Sequence, residues 1–272
     1  MNTITSTANR HVVEARKLRQ RKHRQEHGLF LLEGLQLLTM ALDAHLIPAQ
    51  VFYAPEQFTG PQGPTLIERF GRTPAQLFQV TPPVLAALSE REGPQGIVAA
   101  FPLFTAPLTD LKLTMSEPLT GAELVVVLDR PQDPGNLGGL IRTADAVGAA
   151  GVVVLEPAVD LFDPKAIRAS MGSMFNLPVA PIADTGAAFR YLAGHGLTAV
   201  GASEHEGEPW GEMALAGGCA LVLGNEARGL SADIIPHIRR WVSLPMRGKA
   251  ESLNVSVAGG VLMYLWLQKH LK

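Results

Sequence analysis

The 272 residues are 47% hydrophobic and 18% charged, with 27 glycines and 20 prolines, a balance that excludes a disordered or fibrous chain and leaves length for two buried cores. The formal net charge of -2 gives no average argument for a polyanionic partner, so such an argument must rest on local clustering. One cysteine, Cys219, excludes an internal disulfide or a multi-cysteine zinc site and agrees with a reducing compartment; it lies in an apolar run and is expected in the core.

Residues 1–9 show no basic-then-apolar leader pattern. The longest apolar stretch, Leu253–Leu267, is interrupted by Asn254, Ser256 and a glycine pair, so no membrane span is expected and a soluble cytoplasmic protein is. Residues 10–24 gather Arg10, Arg16, Lys17, Arg19, Arg21, Lys22 and Arg24 against Glu14 alone, on good helix formers. A basic helix or arm follows. Such runs are often only solvated surface, but this crowding in a net-acidic chain favours contact with RNA phosphates.

Gly28–Gly34 reads as a short apolar strand running into a helix over 35–44, and 50–54 reads as a second strand. Phe78-Gln79-Val80, a helix from Val84 to Leu88 and a strand over 96–101 complete a small α/β domain, 1–104. Residues 105–121 are rich in proline, threonine and leucine without sustained periodicity and read as a linker. From 122 to 272 the rhythm changes. Apolar β-branched runs (LVVVLD, GVVVLE, LPVAPI, LTAVGAS, CALVLGNE, RWVSLP) alternate with helical stretches, among them LGGLIRTADAVGA, PKAIRASMGSMF and 185–193, and a long helix begins near Leu253. Strands this apolar imply a parallel sheet covered on both faces.

In such sheets ligands bind at the carboxyl ends of strands. The loop after LVVVLD, Asp129 to Gly139, turns tightly into a helix and leaves Asn136 near an N-terminus that favours anions, with Arg142 about one turn inside and facing the same mouth. Its glycines do not have GxGxxG spacing, which argues against a nicotinamide-dependent dehydrogenase. A second loop, Leu223-Gly224-Asn225-Glu226, sets exposed peptide groups, an amide and a carboxylate at the sheet edge; a salt bridge with Arg228 is the lesser alternative for Glu226. In the third, a strand ends at Leu244-Pro245-Met246, and Ser252-Leu253-Asn254 opens the last helix, with either Ser252 or Asn254 able to cap it. Arg168, like Lys165, either meets phosphate or lies on a solvated helix face. His195, His205 and His237 lack paired ligand spacing, and no metal is expected.

Together the three loops, in order and in strand context, resemble the motifs of the SpoU/TrmH family of RNA ribose 2′-O-methyltransferases over roughly 125–267. Leu32-Glu33-Gly34 and Gly93-Pro94-Gln95-Gly96-Ile97-Val98 resemble the L30e-like substrate-binding domain that often precedes that catalytic domain. The resemblance implies a deep trefoil knot in the parallel-sheet domain, against the general rarity of knots, and a homodimer with its active site near the subunit interface. It implies S-adenosylmethionine as cofactor, held largely through backbone by Leu223, Gly224, Asn225, Leu244, Pro245, Met246 and Leu253. It implies a catalytic set of Asn136, Arg142, Glu226, Ser252 and Asn254; the charge clustering itself offers Arg10, Arg16, Lys17, Arg19, Arg21 and Arg168 for RNA. Ribosomal RNA is the favoured substrate, with tRNA and a catalytically silent RNA-binding role as rivals. The family assigns the arginine matching Arg142 to activating the hydroxyl. Because a guanidinium stays protonated, the expected role is orienting ribose or phosphate and stabilising oxyanion charge, with the proton passing to Glu226 or water.

Overall fold

The computed structural model describes residues 3–90, 95–113, 123–204, 206–212, 214–225 and 228–271. The chain divides into two compact units, one of residues 1–104 with 162–168, the other of 105–161 with 169–272.

The first unit runs α1 (Arg10–Lys17), α2 (Arg21–His27), β1 (Leu29–Glu33), α3 (Leu35–Asp43), β2 (Gln50–Tyr53), α4 (Gln62–Gly71), β3 (Gln76–Gln79), α5 (Pro82–Leu88) and β4 (Ile97–Pro102). Its sheet has the order β1-β4-β2-β3, with β4 antiparallel to both neighbours and β2 parallel to β3. Phe52, Val84, Leu85 and Val98 are buried in its core with Val12 and Ala15 of α1. The basic stretch is thus two helices rather than one. Arg24 is 3% exposed and donates to the carbonyls of Leu18 and Arg19 at 2.9 and 2.7 Å, satisfying groups left open where α1 stops. The segment 162–168 joins this unit through Phe162, whose ring lies 4.8 Å from Phe30 and 5.3 Å from Phe104.

In the second unit come β5 (Leu124–Asp129), α6 (Pro134–Ala146), β6 (Gly151–Leu155), α7 (Pro164–Ser170, which begins in the first unit), β7 (Val179–Ile182), α8 (Thr185–Gly194), β8 (Thr198–Ala202), β9 (Glu208–Pro209), β10 (Cys219–Leu223), β11 (Arg240–Ser243) and α9 (Val255–His270). Among the described residues its sheet has seven strands in the order β7-β6-β5-β10-β8-β11-β9, and every pairing is parallel. Every residue of β5, β6 and β10 is buried, which bears out the parallel sheet read from their unbroken apolar runs.

One helix is shorter than expected. The run PKAIRASMGSMF does not continue through 175, because Met171 and Gly172 take φ of 48° and 87° and the chain restarts as a single 3-10 turn, Ser173–Phe175. A left-handed pair cannot propagate α-helical hydrogen bonds.

Candidate active site

β10 and β11 both end at one edge of the parallel sheet, and the loops that follow them enclose a cleft of about 740 Å³. Its walls combine Leu223 at the end of β10 and Gly224, Asn225, Gly229 and Leu230 after it with Leu244, Met246 and Ser252–Asn254 after β11 and Val255 at the start of α9. The first wall is closed by backbone: the N–H groups of Asn225 and Gly229 each donate to the other's carbonyl at 2.9 Å. Gly224 makes that turn possible. A β-carbon there would stand 2.6 Å from the carbonyl carbon of Gly229, a backbone atom that cannot swing aside.

The two helices nearest the cleft begin side by side. Asp133 caps α6, its carboxylate accepting from the Asn136 N–H at 2.8 Å. Asn254 caps α9, its Oδ1 accepting from the Ser256 N–H at 2.9 Å and from the Ser256 hydroxyl at 2.6 Å. The Asn254 amide then donates to Asn136 Oδ1 at 3.1 Å, so the two N-termini are pinned together. Each carries the partial positive charge of a helix N-terminus, which suits an anionic or electron-rich oxygen. The close packing of α6 and α9 depends on glycine: a β-carbon at Gly259 would lie 2.6 Å from Leu140 and Leu223 side-chain carbons.

The three sequence loops therefore converge on one edge. The model of the SpoU rRNA Methylase family matches residues 123–264, more than half of the chain. The chain belongs to this family. The model of the MRM3-like substrate binding domain matches residues 9–99. A 23S rRNA (guanosine(2553)-2'-O)-methyltransferase of Bacillus subtilis is 32% identical over 97% of this chain and 98% of its own length. Among solved structures, an AdoMet-bound rRNA methyltransferase from Sinorhizobium meliloti is 30% identical with a TM-score of 0.88, covering 100% of this chain and 99% of that one. The AdoMet complex of the SpoU methyltransferase AviRb from Streptomyces viridochromogenes is 27% identical, with a TM-score of 0.84 over 96% of this chain and 98% of that one.

Within this SpoU frame, Leu223, Gly224, Asn225, Leu244, Met246, Ser252, Leu253 and Asn254 all line the cleft, while Pro245 is exposed and does not. Asn254 is the cap of α9; Ser252 is exposed and makes no hydrogen bond among the described residues. Arg142 needs correction. It stands about two turns into α6, not one, roughly 120° around the helix from Asn136, and it is absent from the cleft lining of its own chain. It is exposed and makes no hydrogen bond or ion pair among the described residues. Glu226 lies outside the described residues, as do Gly93 and Pro94 of the substrate-domain motif and much of the expected linker.

The basic residues proposed for RNA fall into two groups. Arg10, Arg16 and Arg21 are exposed, whereas Lys17 pairs with Glu14 at 2.8 Å and Arg19 donates to the Ser89 carbonyl at 2.5 Å. Arg168, 40% exposed, lies 3.8 Å from Glu33 and 3.7 Å from Glu90, so its charge already faces two carboxylates. Sequence reading also passed over His23, Glu26 and His27, whose ligand atoms lie within 4.8 Å of one another on α2; His23 meets Glu26 at 3.1 Å. It likewise passed over Glu204, Glu206 and Glu251, which bring carboxylates to the cleft. Nothing in their local sequence marks them, because only the sheet order brings them to the same edge.

Proposed function

We propose that the protein transfers the methyl group of S-adenosylmethionine to a ribose 2′-hydroxyl of ribosomal RNA. The observation that carries this reading is the cleft between the Gly224–Leu230 and Leu244–Asn254 loops, closed on one side by paired backbone and flanked by the joined N-termini of α6 and α9. Its volume lies in the range of small-molecule sites. Its chemistry suits the cofactor: leucine and methionine side chains for apolar parts, the backbone of the Gly224 turn for an adenine edge, and the carboxylates of Glu204, Glu206 and Glu251 for positive charge. When bound, S-adenosylmethionine supplies an electrophilic methyl group on a sulfonium.

The chain's own residues then have to align the 2′-oxygen and help remove its proton. Asn136 and Asn254 hold the ribose side of the cleft in one geometry through their shared hydrogen bond. Arg142 orients ribose or phosphate and stabilises negative charge developing on the oxygen; as a permanent cation it accepts no proton, which passes to Glu226 or water. Ser252 completes the polar rim.

Arg142 does not line the cleft of its own chain, and a homodimer resolves this by bringing Arg142 of one subunit to the cleft of the other. Val257, Val261 and Tyr264, spaced four and three apart on α9, are 51%, 37% and 53% exposed. Such a stripe on a helix that is apolar around its whole circumference favours a second copy as its cover. The deep trefoil knot is consistent with β10 lying between β5 and β8 while β11, next but one in the sheet, follows it in sequence. Residues 1–104 serve as the RNA-gripping domain, led by Arg10, Arg16 and Arg21. The reading needs no metal, and a ribosomal substrate favours the cytoplasm as its compartment. Among the described residues no helix is long and apolar enough to cross a membrane.

Mapping 2′-O-methyl nucleotides by mass spectrometry, in cells with and without the gene, tests this. Loss of one ribose methyl from ribosomal RNA is expected; a mark lost from tRNA instead would move the substrate class and leave the chemistry.

A further inference from the structure

Behind the cleft wall, at the carboxyl end of β5, lies a group of charges that methyl transfer does not use. Asp129, the last residue of β5, is 1% exposed, and its Oδ2 accepts from both the N–H and the hydroxyl of Ser231 at 2.6 Å. Arg130 follows with φ of 48°, in the left-handed region that disfavours a side chain, so its surroundings must hold it there. Its Nη1 donates to Asp129 Oδ1 at 2.8 Å and to Ser231 Oγ at 2.7 Å. Its Nη1 and Nη2 fork onto the two Asp233 oxygens at 3.2 and 2.8 Å. Asp233 also accepts from Thr185 Oγ1 at 3.1 Å, at the start of α8. From the cleft side, the Asn225 amide donates to the Arg130 carbonyl at 2.9 Å.

Both ends of the 225–231 loop are therefore tied to the same two residues, Asn225 to Arg130 and Ser231 to Asp129. We propose that Asp129, Arg130, Ser231 and Asp233 are positioning residues that clamp Asn225, Gly229 and Leu230 into the wall of the cofactor cleft. None of the four lines the cleft, so the clamp acts only through the loop it holds. The proposal rests on the reading of that cleft as the S-adenosylmethionine site. A loop already fixed in its bound shape loses little conformational freedom when ligand arrives, which raises affinity without a new contact. The forked pairing explains why an arginine stands here: lysine would offer a point charge and could not hold two carboxylates and a hydroxyl in one plane. The fork also holds the Asp233 carboxyl below the usual aspartate range, through the hydrogen bond from Arg130 first.

The test is calorimetric titration of S-adenosylmethionine into wild type, Arg130→Lys, Asp233→Asn and the double variant, with thermal unfolding and RNA affinity followed alongside. Each single change is expected to weaken cofactor binding about tenfold or more. The double variant should do no worse than the poorer single, because both remove one fork, and Asp233→Glu should recover part of the loss. In turnover, KM for S-adenosylmethionine should rise while kcat at saturation and RNA affinity stay near wild type, a split that general loosening of the fold would not give. Should Arg130→Lys fail to fold, Ser231→Ala, which removes one hydroxyl, is expected to weaken the cofactor in the same way. Singles that bind within twofold of wild type, or losses that add in the double variant, overturn the clamp and leave the cleft assignment standing. A wild type that binds no S-adenosylmethionine overturns the cleft assignment, and the clamp with it.

Discussion

Gly224 has no room for even a methyl group, because the backbone of Gly229 fills the space where a β-carbon would sit. Gly224→Ala must push the Gly229–Leu230 backbone away, at a cost of about 1–3 kcal/mol for a forced backbone shift. The expected result is S-adenosylmethionine affinity at least tenfold weaker by calorimetry with the sheet still folded. Cys219 illustrates the opposite kind of residue. Burial pushes its thiol up to about 12, so the native thiol stays neutral and inert to a disulfide reagent near pH 8 and reacts only as the protein unfolds. The sign of the linked stability is fixed as well. At alkaline pH, above the ordinary thiol pKa and below about 12, the unfolded chain has released a proton that the folded chain keeps, so stability falls as pH rises. Cys219→Ala should flatten that part of the pH profile of Tm. Single residues were legible in the sequence where chemistry and local backbone coincide, as at Gly224 and Asn254. Arg130 was not, because its left-handed φ and its partners Ser231 and Asp233 about a hundred residues later arise only from the fold.

At the scale of elements, period-two and period-3.6 patterns located the strands and helices of the second unit well, since each strand is buried on both faces and leaves an unbroken apolar run. Breaks were less visible. The basic stretch divides after Lys17 because the buried Arg24 serves the end of α1, and PKAIRASMGSMF divides at Met171 and Gly172; neither break carries a proline. The helix α9 poses the sharper question, because among the described residues its Val257, Val261 and Tyr264 stay 51%, 37% and 53% exposed. Covering three such side chains with a second copy would contribute about 1.5–3 kcal/mol each at most, enough to matter for association. Val261→Asp with Tyr264→Asp is expected to give a monomer in sedimentation analysis while the unfolding transition survives; an unchanged sedimentation coefficient would place the dimer contact, or the monomer, elsewhere.

Taken whole, the molecule joins a mixed four-stranded unit and an all-parallel unit, and the composition change between them was visible before any coordinate. The transfer of 162–168 to the first unit was not visible, because Phe162 finds Phe30 and Phe104 across long sequence separation. The proposed division of labour puts cofactor binding in the cleft of the second unit and RNA contact on exposed arginines of the first. The reading of the cleft as a methyl-transfer site is tested most directly by incubating the purified protein with methyl-labelled S-adenosylmethionine and unmodified ribosomal RNA, then digesting the RNA to nucleosides. Label in a single 2′-O-methyl nucleoside, sharply reduced by Arg142→Lys, is the predicted result; label on a base, or cofactor binding with no label in RNA, would contradict it.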